Sequence, residues 1–339
     1  MTPGRDGPGR RVLRAPNHLG DVIMALPAVA ADGADVMVVR WLAPVLEMAG
    51  LGGRVLPFDR GFGGWRRAVA ELRRTGYERG VLLTPAFSAA WLFRWGGVRH
   101  LRGTATDGRA WLLADGLPRE ALGGRHRINQ YKLLLGQDPD TEALNHPLVP
   151  PEALVDAWRT RLGVGRHPVV GVFPGSNAPA RRWAPERFGD VAAALTADGA
   201  RCVVLGGPGE KELTARVAAR APGTVDAGGE TDLPGLAAAL SVCDVVVTND
   251  TGPMHLAGAV GTPTITLWGP SDPEEVRPVG ARNREVHGPD LPCRPCFKNH
   301  CPRSGAGTLL ERAHEECMNL ITVDQVTTEA RRLVETGPT

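Results

Sequence analysis

Short continuous apolar runs alternate with stretches of helical period along most of the chain. In the first half, Val12–Ala15, Val36–Val39 and Val81–Thr84 have strand length. Helical patterns follow at Gly20 to Ala30, Trp41–Met48 and Phe87–Trp95. Unbroken apolar runs fit strands covered on both faces, and their alternation with helices predicts a parallel sheet with crossover helices. Between Gln137 and Pro151 the chain becomes proline-rich and loses its period, which predicts a linker. After a helix over Glu152–Leu162 the alternation restarts. Strands are expected at Val169–Phe173, Cys202–Leu205, Val245–Val247 and Thr264–Trp268, with helices at Pro185–Ala197, Glu210–Ala219 and Leu233–Ser241.

A chain of 339 residues is long enough for two domains. The expected division is a flexible tail over 1–10, a first Rossmann-like domain over 11–145 and a second over 146–339. The final helix is free to pack back on the first domain. Hydrophobic residues at 42% and charged residues at 22% are ordinary for a globular protein, and a net charge of +2 gives no field that argues for nucleic acid. Arginine outnumbers lysine 36 to 3, a bias that a GC-rich genome explains as well as phosphate recognition does. No apolar run reaches the ~20 residues of a membrane-spanning helix, and the opening MTPGRDGPGRR lacks the apolar core of a secretory leader. A cytoplasmic enzyme is the expectation, with a peripheral membrane contact at Trp91–Trp95 (WLFRW) weighed against core packing of that helix.

Four segments carry candidate chemistry. The most informative is Asp244 to Pro273, in which a buried strand, a turn and a helix opened by Gly252-Pro253 bring together Asp250, Thr251, Gly252 and His255. Open α/β sheets bind ligands outside the carboxyl ends of their strands, and the bare N–H groups of a helix start suit a phosphate. A buried structural histidine is the plain alternative for His255. The second segment, Phe173 to Trp183, ends a strand in a Gly-Ser-Asn turn. Ser176, Arg181 and Arg182 there form either a diphosphate clamp or a solvated basic loop. The third, Leu205-Gly206-Gly207-Pro208-Gly209-Glu210, is a tight turn whose Glu210 either caps a helix or holds ribose hydroxyls. In the fourth, Asn17-His18-Leu19-Gly20-Asp21, the acid sits in a helix's first turn, where it caps the helix or acts as a general base. Cys293, Cys296, Cys301 and Cys317 have one Cys-x2-Cys pair and irregular gaps. They read as a structural metal site or as free thiols, while Cys202 and Cys243 read as core residues.

In their order along the chain, these segments resemble glycosyltransferase family 9, the ADP-heptose:lipopolysaccharide heptosyltransferases. The resemblance runs from Val12 to about Val326 and is strongest over Val169–Arg187 and Asp244–Pro273. Cys-Arg-Pro-Cys-Phe-Lys and Cys-Met-Asn-Leu-Ile-Thr further resemble the heptosyltransferase II branch. It implies a GT-B fold, two Rossmann-like domains facing a central cleft, with acceptor on the first and nucleotide sugar on the second. It also implies an inverting transfer that needs no metal or other cofactor, from an ADP-sugar to a lipid-linked or soluble sugar acceptor. By the same resemblance Asp21 is the base, Arg181 binds the diphosphate with Ser176 nearby, and Glu210 holds the ribose. Thr231 then borders the adenine pocket, and Asp250, Thr251, Gly252 and His255 contact the phosphates and donor sugar. Arginine stands at 181 where the family often carries lysine. Two rivals remain at this point: a sugar-nucleotide epimerase on the same fold, and a binding module without turnover.

Overall fold

The computed structural model describes residues 10–139, 147–278, 282–302 and 316–336. Most of the expected tail and the middle of the expected linker, residues 1–9 and 140–146, lie outside the described residues. The chain divides into two compact units, Met1–His146 and Pro147–Thr339.

The first unit runs β1 (Arg11–Arg14), α1 (Leu19–Asp32), β2 (Asp35–Val39), α2 (Ala43–Met48), β3 (Val55–Phe58), α3 (Phe62–Thr75), β4 (Arg79–Leu82), α4 (Phe87–Trp95), β5 (His100–Thr104), β6 (Asp115–Leu117) and α5 (Arg127–Leu135). Its six strands are all parallel, in the order β3-β2-β1-β4-β5-β6. Val12, Met37 and Leu82 come from three neighbouring strands, and with Leu72 of α3 and Phe93 of α4 they belong to one core. Helix α1 stops at Gly33, whose φ of +70° a side chain would resist, and β2 begins two residues later.

The second unit runs α6 (Glu152–Leu162), β7 (Val169–Phe173), α7 (Pro185–Ala197), β8 (Arg201–Gly206), α8 (Lys211–Arg220), β9 (Val225–Gly228), α9 (Leu233–Ser241), β10 (Val245–Asn249), α10 (Gly252–Ala259), β11 (Thr264–Trp268), α11 (Pro273–Val276), β12 (Arg284–His287), α12 (Glu316–Asn319) and α13 (Val323–Glu335). Its sheet order, β12-β11-β10-β7-β8-β9, repeats the first unit's connectivity. Strands β7, β10 and β11 are buried along their whole length, which is why they read as unbroken apolar runs. Burying one of their valines is worth about 1.5–3 kcal/mol. The final helix gives Val326, Ala330 and Leu333 to the core of this unit. Two further bonds tie the chain just before it to α7 and the segment leading into it: the Trp183 indole donates to the Ile321 carbonyl at 3.2 Å, and Arg187 donates to the Asn319 carbonyl at 2.6 Å.

Candidate active site

In the second sheet the chain moves outward from β7 through β8 to β9, then crosses back to lay β10 on the other side of β7. Connections therefore leave the carboxyl ends of β7 and β10 in opposite directions, which opens a crevice between them. Two of the four sequence segments end in that crevice. Asp250 is 3% exposed, and its Oδ2 accepts from the Ser271 hydroxyl at 2.6 Å and faces Arg181 Nη1 at 3.1 Å. Burial pushes the Asp250 carboxyl above its ordinary range, while Arg181 and Ser271 pull it back. The Nε of Arg181 is buried with no partner among the described residues. Such a donor costs about 1–3 kcal/mol if left unmet, and a phosphate oxygen is the acceptor it suits best.

The two arginines of the expected clamp have separate tasks. Arg181 engages Asp250, whereas Arg182 Nε donates to the Ser176 carbonyl at 2.7 Å and closes its own loop. The Ser176 hydroxyl is buried and accepts from Ala178 N at 3.3 Å. Asn249, at the end of β10, pins this loop from both sides. Its Oδ1 accepts from Trp183 N at 3.1 Å, and its Nδ2 donates to the Pro174 carbonyl at 2.8 Å. Thr251 is extended at the start of α10, and its side chain does not cap the helix. His255 lies on α10 and is 7% exposed.

Glu210 follows β8 and approaches the β7 loop. Its Oε2 accepts from Gly207 N at 2.7 Å, and a Cβ placed on Gly175 would fall 1.9 Å from its Oε1. Position 175 must lack a side chain for this carboxylate to lie where it does. On the ribose role expected for Glu210, Gly175→Ala should displace its carboxylate and raise the KM for the nucleotide sugar roughly 5- to 20-fold with little change in Tm. The effect should not add to that of Glu210→Ala, because both remove one placement. A double variant measured as the sum of two independent losses would contradict this coupling. Thr231 follows β9 and lines a cavity of about 460 Å³ with Leu154, Trp158, Arg161 and Asp232.

The four groups therefore follow four neighbouring strands: Asp250 and Thr251 after β10, Ser176 and Arg181 after β7, Glu210 after β8, Thr231 after β9. With strands about 4.8 Å apart, that row spans roughly 15 Å.

In the first unit the same reversal falls between β1 and β4. Asp21 is in the first turn of α1. The Tyr131 hydroxyl on α5 donates to its Oδ1 at 3.2 Å. Burial, with Asp21 adding to it, holds the Tyr131 hydroxyl well above its ordinary range, so it stays protonated and can only donate to this carboxylate. At the end of β1 the guanidinium of Arg14 is buried, donates to Asn17 Oδ1 at 2.6 Å and lies 4.7 Å from the centre of the Phe58 ring. Burial, and secondarily the charge of Arg60, brings the Arg14 pKa down to about 9. Asn17 in turn donates to the Thr84 hydroxyl at 3.4 Å, linking the two strand ends. His18 is exposed and does not cap α1 with its side chain.

Residues 65–306 match the family described as Glycosyltransferase family 9 (heptosyltransferase), more than half of the chain. The chain belongs to glycosyltransferase family 9. It is 26% identical over 298 residues to lipopolysaccharide heptosyltransferase 2 of Escherichia coli K12, covering 80% of this chain and 86% of that relative. The solved E. coli ADP-heptose lps heptosyltransferase II superposes with a TM-score of 0.79 at 22% identity, over 96% of this chain and 99% of that one. An E. coli heptosyltransferase in complex with ADP-2-deoxy-2-fluoro heptose gives 0.67 at 18% identity, over 95% and 99%. The GT-B fold class expected from the resemblance is borne out, and the protein is a glycosyltransferase.

For this family 9 enzyme, sequence reasoning missed Asn249, Ser271 and Tyr131. Asn249 holds the loop that carries Ser176 and Arg181, Ser271 bonds Asp250, and Tyr131 bonds Asp21. The four later cysteines, Cys293, Cys296, Cys301 and Cys317, are half-buried. Burial pushes the Cys317 thiol up to about 11; Arg294 opposes the rise, and Cys301 and Cys296 add to it. Among the described residues no group of three or more His, Cys, Asp or Glu is placed to hold a metal ion. Residues 303–315, between Cys301 and Cys317, lie outside the described residues.

Proposed function

We propose that this transferase moves a heptose from ADP-heptose to a hydroxyl of a lipopolysaccharide inner-core acceptor, with inversion and without a metal. The observation that carries the donor half is the row of groups along β10, β7, β8 and β9. A cation with an unmet N–H stands at the second strand, an acid at the third and a cavity at the fourth, in the order diphosphate, ribose, base. Arg181 and the start of α10 supply the positive charge that the departing ADP needs. Ser176, Thr251, Gly252 and His255 line the same end, where they contact the phosphates and donor sugar, and Asp250 orients Arg181. Arg182 keeps the loop closed. Glu210 accepts from ribose hydroxyls, and Thr231 borders the base.

Asp21 is the general base. The acceptor oxygen forms its bond to the anomeric carbon as the carbon–oxygen bond to the diphosphate breaks, and its proton passes to Asp21. One displacement inverts the centre. The choice of heptose and of acceptor rests on the likeness to lipopolysaccharide heptosyltransferase 2.

The test is a donor screen with ADP-heptose, other ADP-sugars and UDP- or GDP-sugars, with and without Kdo-containing acceptor. ADP release that needs both ADP-heptose and acceptor is the expected result. Turnover of another nucleotide sugar would keep the chemistry and discard the heptose. Interconversion of the sugar with no acceptor present would replace the transfer by an epimerisation.

A further inference from the structure

Helix α4 is apolar on two faces. Ala89, Ala90, Leu92 and Phe93 enter the first unit's core, while Phe87, Trp91 and Trp95, four residues apart, stand outward at 39%, 37% and 49% exposure. The outward rings touch in series. Phe87 stacks on Trp91 at 6.0 Å, Trp91 meets Trp95 at 6.0 Å, and Trp95 meets Trp65 of α3 edge-on at 5.9 Å. Trp111, 69% exposed, closes on both Trp91 (6.2 Å) and Phe87 (6.5 Å). Five aromatic side chains thus form one connected surface, with Trp65 at its half-buried end. Of the alternatives raised for WLFRW, core packing holds for Leu92 and Phe93.

Cations surround this surface. From Arg79 to Thr106 the sequence holds four arginines, one histidine and no acid. Arg73 is anchored to the Trp95 carbonyl at 2.8 Å and Arg94 to the Arg99 carbonyl at 2.8 Å. Arg66 lies over the Phe62 ring. Arg66, Arg73, Arg94 and Arg99 make no ion pair among the described residues. Three of the nearby acids are paired elsewhere, Asp59 with Arg40 and Arg67, Glu71 with Arg74 and Asp115 with Arg102, while Glu78 lies next to Arg99 and His100, whose backbone N–H groups donate to its carbonyl.

We propose that the Phe87–Trp91–Trp95–Trp111–Trp65 surface, with its unpaired arginines, seats the enzyme on an anionic phospholipid bilayer. Indole rings have an apolar body and a polar edge, which suits the layer between headgroups and acyl chains. Unpaired arginines beside them meet lipid phosphates. A second copy of this chain fits less well, because a two-fold contact would bring two identical cationic rims together. This surface does not depend on which sugar is transferred, so the lipid contact and the donor reading can fail separately.

The test is flotation of the full chain with vesicles of phosphatidylglycerol and phosphatidylethanolamine, compared with phosphatidylcholine alone. The chain should float with the anionic vesicles, and less so in high salt. Trp91→Gln/Trp95→Gln/Trp111→Gln should lower the partition coefficient roughly tenfold or more. It should leave transfer to a delipidated, soluble acceptor unchanged. If the triple variant unfolds, Trp111→Gln alone and Arg73→Gln/Arg94→Gln each give a smaller loss of the same sign. No vesicle binding by the wild type, or equal binding by folded variants, overturns the proposal. So does a wild-type dimer in light scattering that the triple variant dissolves while neither floats.

Discussion

Asp21→Asn is expected to lower kcat by about 10²–10⁴ while leaving ADP affinity within about twofold. The substitution keeps the shape of the side chain and removes its capacity to take a proton. Its hydrogen bond from Tyr131 can persist with the amide oxygen as acceptor, so the fold of α1 against α5 should be kept. Tyr131→Phe separates position from chemistry. It leaves the carboxylate in place but removes the donor that fixes its rotamer, so kcat should fall by about tenfold, well short of Asp21→Asn. Steady-state kinetics with saturating donor, together with calorimetric ADP titration, would measure both. An Asp21→Asn enzyme with wild-type kcat would remove Asp21 from the mechanism. A drop in ADP affinity alone would assign it to binding.

The second large effect is expected at Arg181. Arg181→Ala should lower kcat/KM for the sugar nucleotide by about 10²–10³, the range for removing one fixed donor from a developing anion. It also leaves Asp250 buried with Ser271 as its remaining hydrogen-bond donor, so the carboxyl should take up a proton more readily. Arg181→Lys restores the charge but not the fork. Since Nη1 contacts Asp250 while Nε stands unmet, lysine can serve one of these partners at a time and should recover part of the loss. ADP binding and kcat both unchanged in Arg181→Ala would place the diphosphate elsewhere.

Strands β7 and β11 and helices α4, α6, α7 and α9 were readable in the sequence with the bounds the structure gives them. Each is a long buried run or a clear helical period set off by glycine or proline. No element was read between the Trp41–Met48 helix and Val81. Strand β3 is four residues with Pro57 inside it and is only half-buried at the sheet's edge, so it carries neither an apolar run nor alternation. Helix α3 has arginine at four of its fourteen positions and only four buried residues, so the stripe was thin. In the second unit, positions that follow strand ends were legible because turns there are marked by glycine, hydroxyls and acids.

The residues that hold those positions were not legible. Asn249 is one polar residue closing an apolar strand, and nothing in its spacing says that it bonds to Pro174 and Trp183. Tyr131 and Asp21 are separated by 110 positions, and only the packing of α5 on α1 brings them together. Sequence pattern reports local period and local chemistry. Hydrogen bonds across that distance depend on the sheet order, which the pattern constrains only to a parallel arrangement.

On the diphosphate role proposed for Arg181, its pairing with Asp250 also bears on how fast the enzyme can be emptied. A guanidinium with no counter-ion would grip the product diphosphate as firmly as the substrate's. Here a carboxylate waits beside it, already hydrogen-bonded to Ser271, and competes for the same cation throughout the cycle. The net gain on binding ADP is the difference between two anions rather than the whole attraction of one. Such a site trades tightness for turnover: it is built to let go.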